Sequence, residues 1–136
     1  MASWSDFLDA CVTRVLTVAG INSAIRTSAA DPERILKIPG RFPKALIHNL
    51  GGEMDIFNGE INNRMMAITL VVHEPRGVMG GTAEDTLADL TELVIGEFTH
   101  TRDDNSIRLL SDTMEVAAPV GQGEMYMNTM IFRYHI

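Results

Sequence analysis

The stretch that decides the fold is PKALIHNLGGEMDIFNGEINNRMMAITLVVHE, residues 43–74, which holds most of the β-forming residues of the first half of the chain. Asn58-Gly59 near its middle is the dipeptide most typical of a two-residue type I′ hairpin turn. A turn there creates two apolar cross-strand pairs and one pair of opposite charge: Ala45 with Val72, Ile47 with Leu70, and Glu53 with Arg64. The stretch therefore predicts a long β-hairpin.

The two halves of this hairpin differ in composition. Near the base of the second strand, residues 66–72 carry large apolar side chains at alternate positions, which predicts that one face is buried in a core. Residues 53–64 are mainly polar, and a strand from Ala45 to the turn would be about 43 Å long at ~3.3 Å per residue. We therefore expect the outer part to project beyond the sheet. Gly51-Gly52 is the place where a bulge would alter the register.

Amphipathic helices are predicted on either side of the hairpin in sequence. Residues 4–19 repeat apolar residues at helical spacing, and residues 82–99 do the same after a start at Thr82 and Asp85 that resembles a capping box. The apolar stripe of the second helix consists of Ala83, Leu87, Leu90, Val94 and Phe98. Leu93 and Ile95 fall outside this stripe, which indicates either ordinary scattered exposure or a second packing surface against another subunit.

The remaining segments are less regular. Residues 20–42 are expected to be mostly loop, with one helical turn near residues 32–36. After a loop at 100–106 we expect two closing strands, and in the last of them, residues 124–136, the apolar side chains change face. This change predicts a bulge or burial on both sides of the strand. The two sets are Met125 and Met127 on one face, and Met130, Phe132 and Tyr134 on the other.

The length of the chain predicts one domain over residues 1–136. Together, the patterns above predict an α+β fold with a mainly antiparallel sheet, a long projecting hairpin and two packed helices. Its single cysteine, Cys11, cannot form an internal disulfide, and the chain begins without a signal-peptide pattern, so we expect a reducing cytoplasm. No apolar run has the roughly 18 residues of a membrane span. A net charge of -7, from 18 acidic and 11 basic residues, argues against a protein that grips phosphate but allows DNA to pass nearby.

The sequence contains no motif for catalysis, a cofactor or a metal. The four histidines lack metal-ligand spacing, and Gly80-Gly81 is not followed by the Lys-Ser or Lys-Thr of a nucleotide-binding loop. Cys11 lies within an apolar stripe, where a thiol is normally inert. We therefore expect no catalytic, cofactor-binding or metal-binding residues and no enzyme activity. A small enzyme or ligand-binding protein is the alternative from another class, and its first candidate residues are His48, His73 and Asp55.

The order of elements resembles that of the tail terminator, or tail-completion, proteins of long-tailed bacteriophages. The similarity runs over most of the chain: an N-terminal amphipathic helix, a proline-led strand with a Gly-Gly-Glu step, FPKALIHNLGGE at 42–53, and a long strand, RMMAITLVVHE at 64–74. A leucine-rich helix, TAEDTLADLTELVIGEF at 82–98, and two closing strands that end in IFRYHI follow. The segment 20–42 and the strongly acidic second helix depart from the pattern.

The resemblance implies a structural virion protein that assembles in the host cytoplasm as a hexameric ring on the end of the tail tube. Such a ring ends tube polymerisation and offers the surface to which the head connector docks, while DNA passes through it; no cofactor, catalysis or membrane is involved. The expected partners are further copies of the chain, the tail tube protein and the head-tail connector protein. Another neck or head-closure component is the alternative. The contact candidates are Met54, Asp55, Ile56, Phe57, Asn58, Glu60, Ile61, Leu93 and Ile95.

Overall fold

In the computed structural model the described residues are 4–27, 31–54, 61–75, 82–99, 107–118 and 123–135. They form, in chain order, α1 (Trp4–Val15), β1 (Ser23–Arg26), α2 (Pro32–Lys37), β2 (Lys44–Met54), β3 (Ile61–Glu74), α3 (Ala83–Thr99), β4 (Ile107–Ala117) and β5 (Glu124–His135). The strands make one five-stranded sheet in the order β1-β2-β3-β5-β4. β1 and β2 run parallel and the other neighbouring pairs antiparallel. The predicted α+β class with a mainly antiparallel sheet is confirmed.

The long hairpin is present as β2 and β3, but its register at the base differs from the predicted one by two residues. At the base Ala45 pairs with Leu70 and Ile47 with Ile68, whereas beyond Gly51 the pair of Gly52 with Arg64 differs from the prediction by one residue. The predicted register was wrong because it centred the connection between Asn58 and Gly59. Met54 pairs with Ile61, so the connection of residues 55–60 is centred one position earlier, which moves each partner at the base by two residues. The expected turn at Asn58-Gly59 falls in this segment, outside the described residues.

Irregularities in β2 accompany this difference in register. The ladder shifts between Asn49 and Gly51, and Gly51 has φ +87°, a left-handed conformation that favours glycine. This is where the sequence predicts a bulge. Side chains alternate with a period of two, so a two-residue error leaves every side chain at the base on its expected face. The predicted core face is therefore confirmed, and its residues are at most 8% exposed: Met66, Ile68, Leu70 and Val72.

The helices α1 and α3 cover this face of the sheet. The predicted apolar stripe of α3 is buried at every position, and α1 buries Leu8, Cys11 and Val15. α1 ends at Val15, four residues earlier than predicted, and the chain continues in turns to Gly20, whose φ is +100°. A Cβ at Gly20 would lie 3.0 Å from Leu90 Cδ2, so glycine lets this turn approach α3 closely.

The opposite face of the sheet carries the short helix α2, at the place where the sequence predicts a helical turn. The Asp31 side chain caps it by accepting a hydrogen bond from the Arg34 N–H at 2.9 Å. A second, smaller cluster of buried residues forms beneath it: Ile35, Leu46, Val71, Met125 and Met127. Lys44 is 2% exposed, and its Nζ donates to the carbonyl oxygens of Ile35 and Ile38. The lysine thus ties β2 to the end of α2.

The strands β1 and β5 can also be compared with the prediction from the sequence. β1 lies in the segment predicted as loop, since four residues, SAIR, are too few to show a period. β5 pairs with β3 without a bulge from Glu124 to His135, and its apolar residues are buried on both faces. Of the two readings of β5, burial on both sides is confirmed.

Candidate assembly surfaces

The side-chain amide of Asn49 links the hairpin to α1. Asn49 Oδ1 accepts hydrogen bonds from Trp4 Nε1 at 3.0 Å and from the Gly51 N–H at 2.9 Å. Asn49 and Gly51 flank the first register shift in β2. The hydrogen bonds therefore connect the bulge, and with it the direction of the outer hairpin, to the first turn of α1.

An aromatic cluster lies beside this bulge. The rings of Trp4 and Phe7 stack with centroids 5.0 Å apart, and the Phe7 centroid is 4.6 Å from that of Tyr134. Arg64 pairs with Tyr134 across the sheet, and its Nε is buried with no hydrogen-bond partner within the described part of the chain. Tryptophan, tyrosine and arginine are the residues most enriched at the energetic centres of protein interfaces. The cluster is thus a candidate contact surface that the sequence analysis did not identify.

The contact candidates from the sequence lie in two places. Met54 and Ile61 pair with each other and form the last pair between β2 and β3. The last pair between β3 and β5 is Asn63 with His135, two positions along β3 from Ile61. Asp55, Ile56, Phe57, Asn58 and Glu60 lie outside the described residues.

The other two candidates are on α3. Leu93 is 52% exposed, whereas Ile95 is partly buried against the main core. Two residues apart on a helix means about 200° of rotation, so they occupy different sides of α3. Leu93 alone retains the exposure that a contact with another subunit requires.

The edge strand β4 is the most exposed element of the sheet. Three of the large apolar side chains on this strand are close to half exposed: Leu110 at 45%, Met114 at 46% and Val116 at 52%. β4 has 11 residues without proline or lysine, and its protection against pairing is limited to three exposed charges, Arg108, Asp112 and Glu115, and an irregularity at Leu110. Met114 and Val116 are two residues apart and so share one face of the strand, but strand periodicity does not reveal that the strand is at an edge.

Charge is distributed unevenly over the molecule. α3 contains no lysine or arginine, and four of its carboxylates are exposed: Glu84, Asp85, Asp89 and Glu92. Exposed carboxylates also lie on β4, at Asp112 and Glu115. By contrast, residues 26–44 hold five of the 11 basic residues of the chain. An anionic surface of this kind repels phosphate and attracts a basic partner.

Two open clefts occur near α1. One, of about 500 Å³, is lined by Asp9, Arg26, Thr27, Ile47, His48 and Asn49. The other, of about 690 Å³, lies where α1 approaches the end of α3. The ion pair of Arg14 with Glu97, at 3.1 Å between Nε and Oε1, borders this second cleft. Both clefts open to solvent, so neither encloses a small molecule in the manner of a typical ligand site.

The candidate residues for an enzyme do not come together in the described structure. His48 lies opposite Ala67, six residues along β3 from His73, which corresponds to about 20 Å. Asp55 is outside the described residues. Within the described ranges, no three His, Cys, Asp or Glu side chains group in a way that would hold a metal ion.

Two titratable groups have strongly displaced pKa values. Burial raises the pKa of the Cys11 thiol to about 12, although the nearby Arg14 charge acts in the opposite direction. The hydrogen bond that Tyr126 donates to Glu124, at 2.8 Å, is the main cause that raises the pKa of Tyr126 to about 12. Both groups therefore stay protonated at neutral pH. Neither is poised to act as a nucleophile or base.

Comparison with protein-family models gives no match, and comparison with curated protein sequences gives no significant match. Each helix in the described ranges is too short or too polar to cross a membrane.

Proposed function

We propose that the chain is a structural subunit of the tail-terminator type: it forms a ring, expected to be hexameric, that caps a phage tail tube and joins it to the head connector. The observation that carries the proposal is the edge strand β4, with exposed Leu110, Met114 and Val116. A long edge strand with exposed apolar side chains is a template for pairing with another chain. In a protein that functions only within an assembly, such an edge can pair with a neighbouring subunit.

Two further observations support this function. The order of helices and strands follows the pattern that the resemblance leads us to expect, apart from the additional strand β1. The hydrogen bonds of Asn49 join the bulge in β2 to α1 and so brace the described part of the hairpin. In the proposed assembly the tip, residues 53–64, contacts a neighbouring subunit or the tube. The net charge of -7 lets DNA slide through the ring without adhering.

Light scattering over a range of concentrations, combined with electron microscopy, tests the proposal. A hexamer of the 15.0 kDa chain has six times that mass, about 90 kDa, and should appear as a ring in negative stain. Particles produced without the protein should have tails of irregular length that lack heads. A chain that stays monomeric at every concentration, and whose removal leaves particles normal, contradicts the proposed function.

A surface variant makes this test more specific. Leu93→Asp replaces an exposed side chain on α3 and should leave the monomer folded, since surface changes usually alter stability by no more than about 0.5 kcal/mol. The predicted effect is a lower assembled mass at an unchanged melting temperature. Glu33→Gln, an exposed position on α2, is the control for handling and expression.

A further inference from the structure

The two edges of the sheet are β1 and β4, at opposite ends of the strand order. β1 runs parallel to β2, and three successive antiparallel pairings, β2 with β3, β3 with β5 and β5 with β4, reverse the direction of β4 relative to β1. If β4 of one copy lies beside β1 of a second copy in the same sheet plane, the two strands are antiparallel. The sheets of the two copies then form one continuous sheet.

The two edges offer charges of opposite sign, carboxylates on β4 and the Arg26 guanidinium on β1. On β4 the exposed carboxylates are Asp112 and Glu115, three residues apart. On β1, Arg26 is exposed at one end, three residues from Ser23. The Ser23 hydroxyl donates to the Arg41 carbonyl at 2.8 Å, so the backbone of Arg41 lies beside the other end of β1. Opposite charges facing each other across neighbouring strands stabilise the pairing, and like charges oppose it.

We propose that β4 of one copy pairs with β1 of the next, with Arg26 opposite Asp112. This inference rests on the proposed ring and identifies the surfaces that join its subunits. In this register Ile25 faces Thr113, Ala24 faces Met114, and Ser23, with Arg41 beside it, faces Glu115. The pairing covers part of the exposed edge, including Met114, which is 46% exposed in the single chain.

The pattern of faces agrees with this register. Arg26 pairs with Ile47 within the chain, so its side chain lies on the face covered by α1 and α3. Asp112 pairs with Met130 and lies on the same face. A shift of one residue would put residues of opposite faces together. A shift of two would place Arg26 against Leu110 or Met114 and lose the charge pair.

The ion pair that Arg26 already makes does not prevent this contact. Its Nη1 donates to Asp9 at 3.0 Å and to the Ser5 hydroxyl at 3.0 Å. A guanidinium group has five N–H donors, so further donors remain for Asp112 of a neighbour. Both Arg26 and Asp9 are exposed in the single chain. The arginine therefore becomes a bridge between α1 of its own copy and β4 of the next.

The proposed contact is heterologous, because it joins two different edges. Each copy offers β4 to one neighbour and β1 to the other, and repetition closes a ring when the rotation per copy permits. The symmetric alternative pairs β4 with β4 of a second copy and closes after two copies, leaving Arg26 and the β1 edge of each copy unused. Only the head-to-tail arrangement uses both edges and repeats into a ring.

Charge reversal in two complementary variants tests this contact. Asp112→Arg and Arg26→Asp each place like charges opposite each other, so each should lose most of the assembled mass in light scattering. An equimolar mixture of the two variants should recover that mass, since every contact in an alternating, even-numbered ring again joins opposite charges. The control Glu33→Arg makes the same change of net charge as Asp112→Arg, at an exposed position on α2, and should leave the mass unchanged.

A cross-link gives a second, independent readout. Ile25→Cys with Thr113→Cys, in a Cys11→Ala background, should yield a ladder of disulfide-linked multiples on non-reducing electrophoresis. A link within one chain is impossible, because the edges of a five-stranded sheet are four strand spacings apart, about 19 Å, and a disulfide spans at most about 7 Å between Cα atoms. Ile25→Cys with Asp89→Cys is the control and should give no ladder.

The outcomes separate this inference from the proposed function. Two results would overturn the pairing of β4 with β1 and leave the proposed ring intact, provided that the wild type assembles. In the first, both charge-reversal variants keep the assembled mass of the wild type. In the second, both variants lose mass and do not recover it on mixing. A wild type that stays monomeric at every concentration, together with a double-cysteine variant that gives no ladder, overturns both. Recovery on mixing together with a ladder supports both.

Discussion

Trp4 Nε1 donates to Asn49 Oδ1 at 3.0 Å, and through this contact α1 supports the bulge from which the outer hairpin extends. Asn49→Ala removes both hydrogen bonds to that oxygen. We predict a loss of about 1–2 kcal/mol in the free energy of unfolding, measured in urea by the fluorescence of the single tryptophan. Asn49→Asp keeps an acceptor oxygen and should lose less. Equal losses in both variants would show that the acceptor is unimportant.

The paired residues Gly52 and Arg64 define where the hairpin can be shortened. Replacing residues 53–63 by Asn-Gly joins this pair through a two-residue turn, the length such strands prefer. We predict a folded monomer, because the buried residues of β2 and β3 lie nearer the base, and a loss of assembly seen by light scattering. A six-residue Gly-Ser segment in place of residues 55–60 keeps the length and tests the tip sequence separately. Unfolding of the shortened chain would mean that the tip belongs to the core.

A buried hydrogen bond joins α3 to β5. Asn128 Nδ2 donates to Thr91 Oγ1 at 2.8 Å, and Thr91 Oγ1 donates to the Leu87 carbonyl oxygen at 2.8 Å. Thr91→Val leaves the Asn128 amide without this partner and should cost about 1–3 kcal/mol in urea unfolding. Adding Asn128→Leu to Thr91→Val removes the buried amide that has lost its partner and should restore part of the lost free energy of unfolding. A double variant that is less stable than Thr91→Val would contradict this account.

Cys11 is buried, and its raised pKa, about 12, predicts slow reaction of the thiol with alkylating reagents. Native protein at pH 8 should react with iodoacetamide far more slowly than protein in urea, as measured by mass spectrometry. The folded state keeps the thiol proton that the unfolded chain loses from about pH 9 upward. The stability due to this thiol is therefore fully present below pH 9 and is lost as pH rises towards 12. Cys11→Ala should remove that part of the pH dependence, and rapid native labelling would contradict the burial.

The features that the sequence predicts correctly are those that repeat locally. The α3 stripe from Ala83 to Phe98 and the alternation in β3 recur over enough residues to identify a buried face. The hairpin register was mispredicted because an Asn-Gly dipeptide indicates a turn without fixing which two residues form the last strand pair, and therefore where the connection is centred. The pairing of Trp4 with Asn49 spans 45 residues, and no local pattern encodes such a contact.

The exposed edge was missed for a related reason. Met114 and Val116 alternate like the residues of a buried strand, and only the strand order shows that β4 has a neighbour on one side. Strand order depends on contacts between distant parts of the chain, such as the pairing of β3 with β5. β1 required the same information, because its four residues have strand structure only through their parallel pairing with β2.

The sheet separates two cores of unequal size. The smaller one holds five buried residues under α2, a helix of six residues that is too short to persist in water by itself. Its order depends on Lys44 and on packing against the sheet, whereas the cluster beneath α1 and α3 does not include any of its residues. Opening of α2 therefore need not disturb the larger cluster, and hydrogen exchange should begin in α2 while the amides of β3 and β5 remain protected.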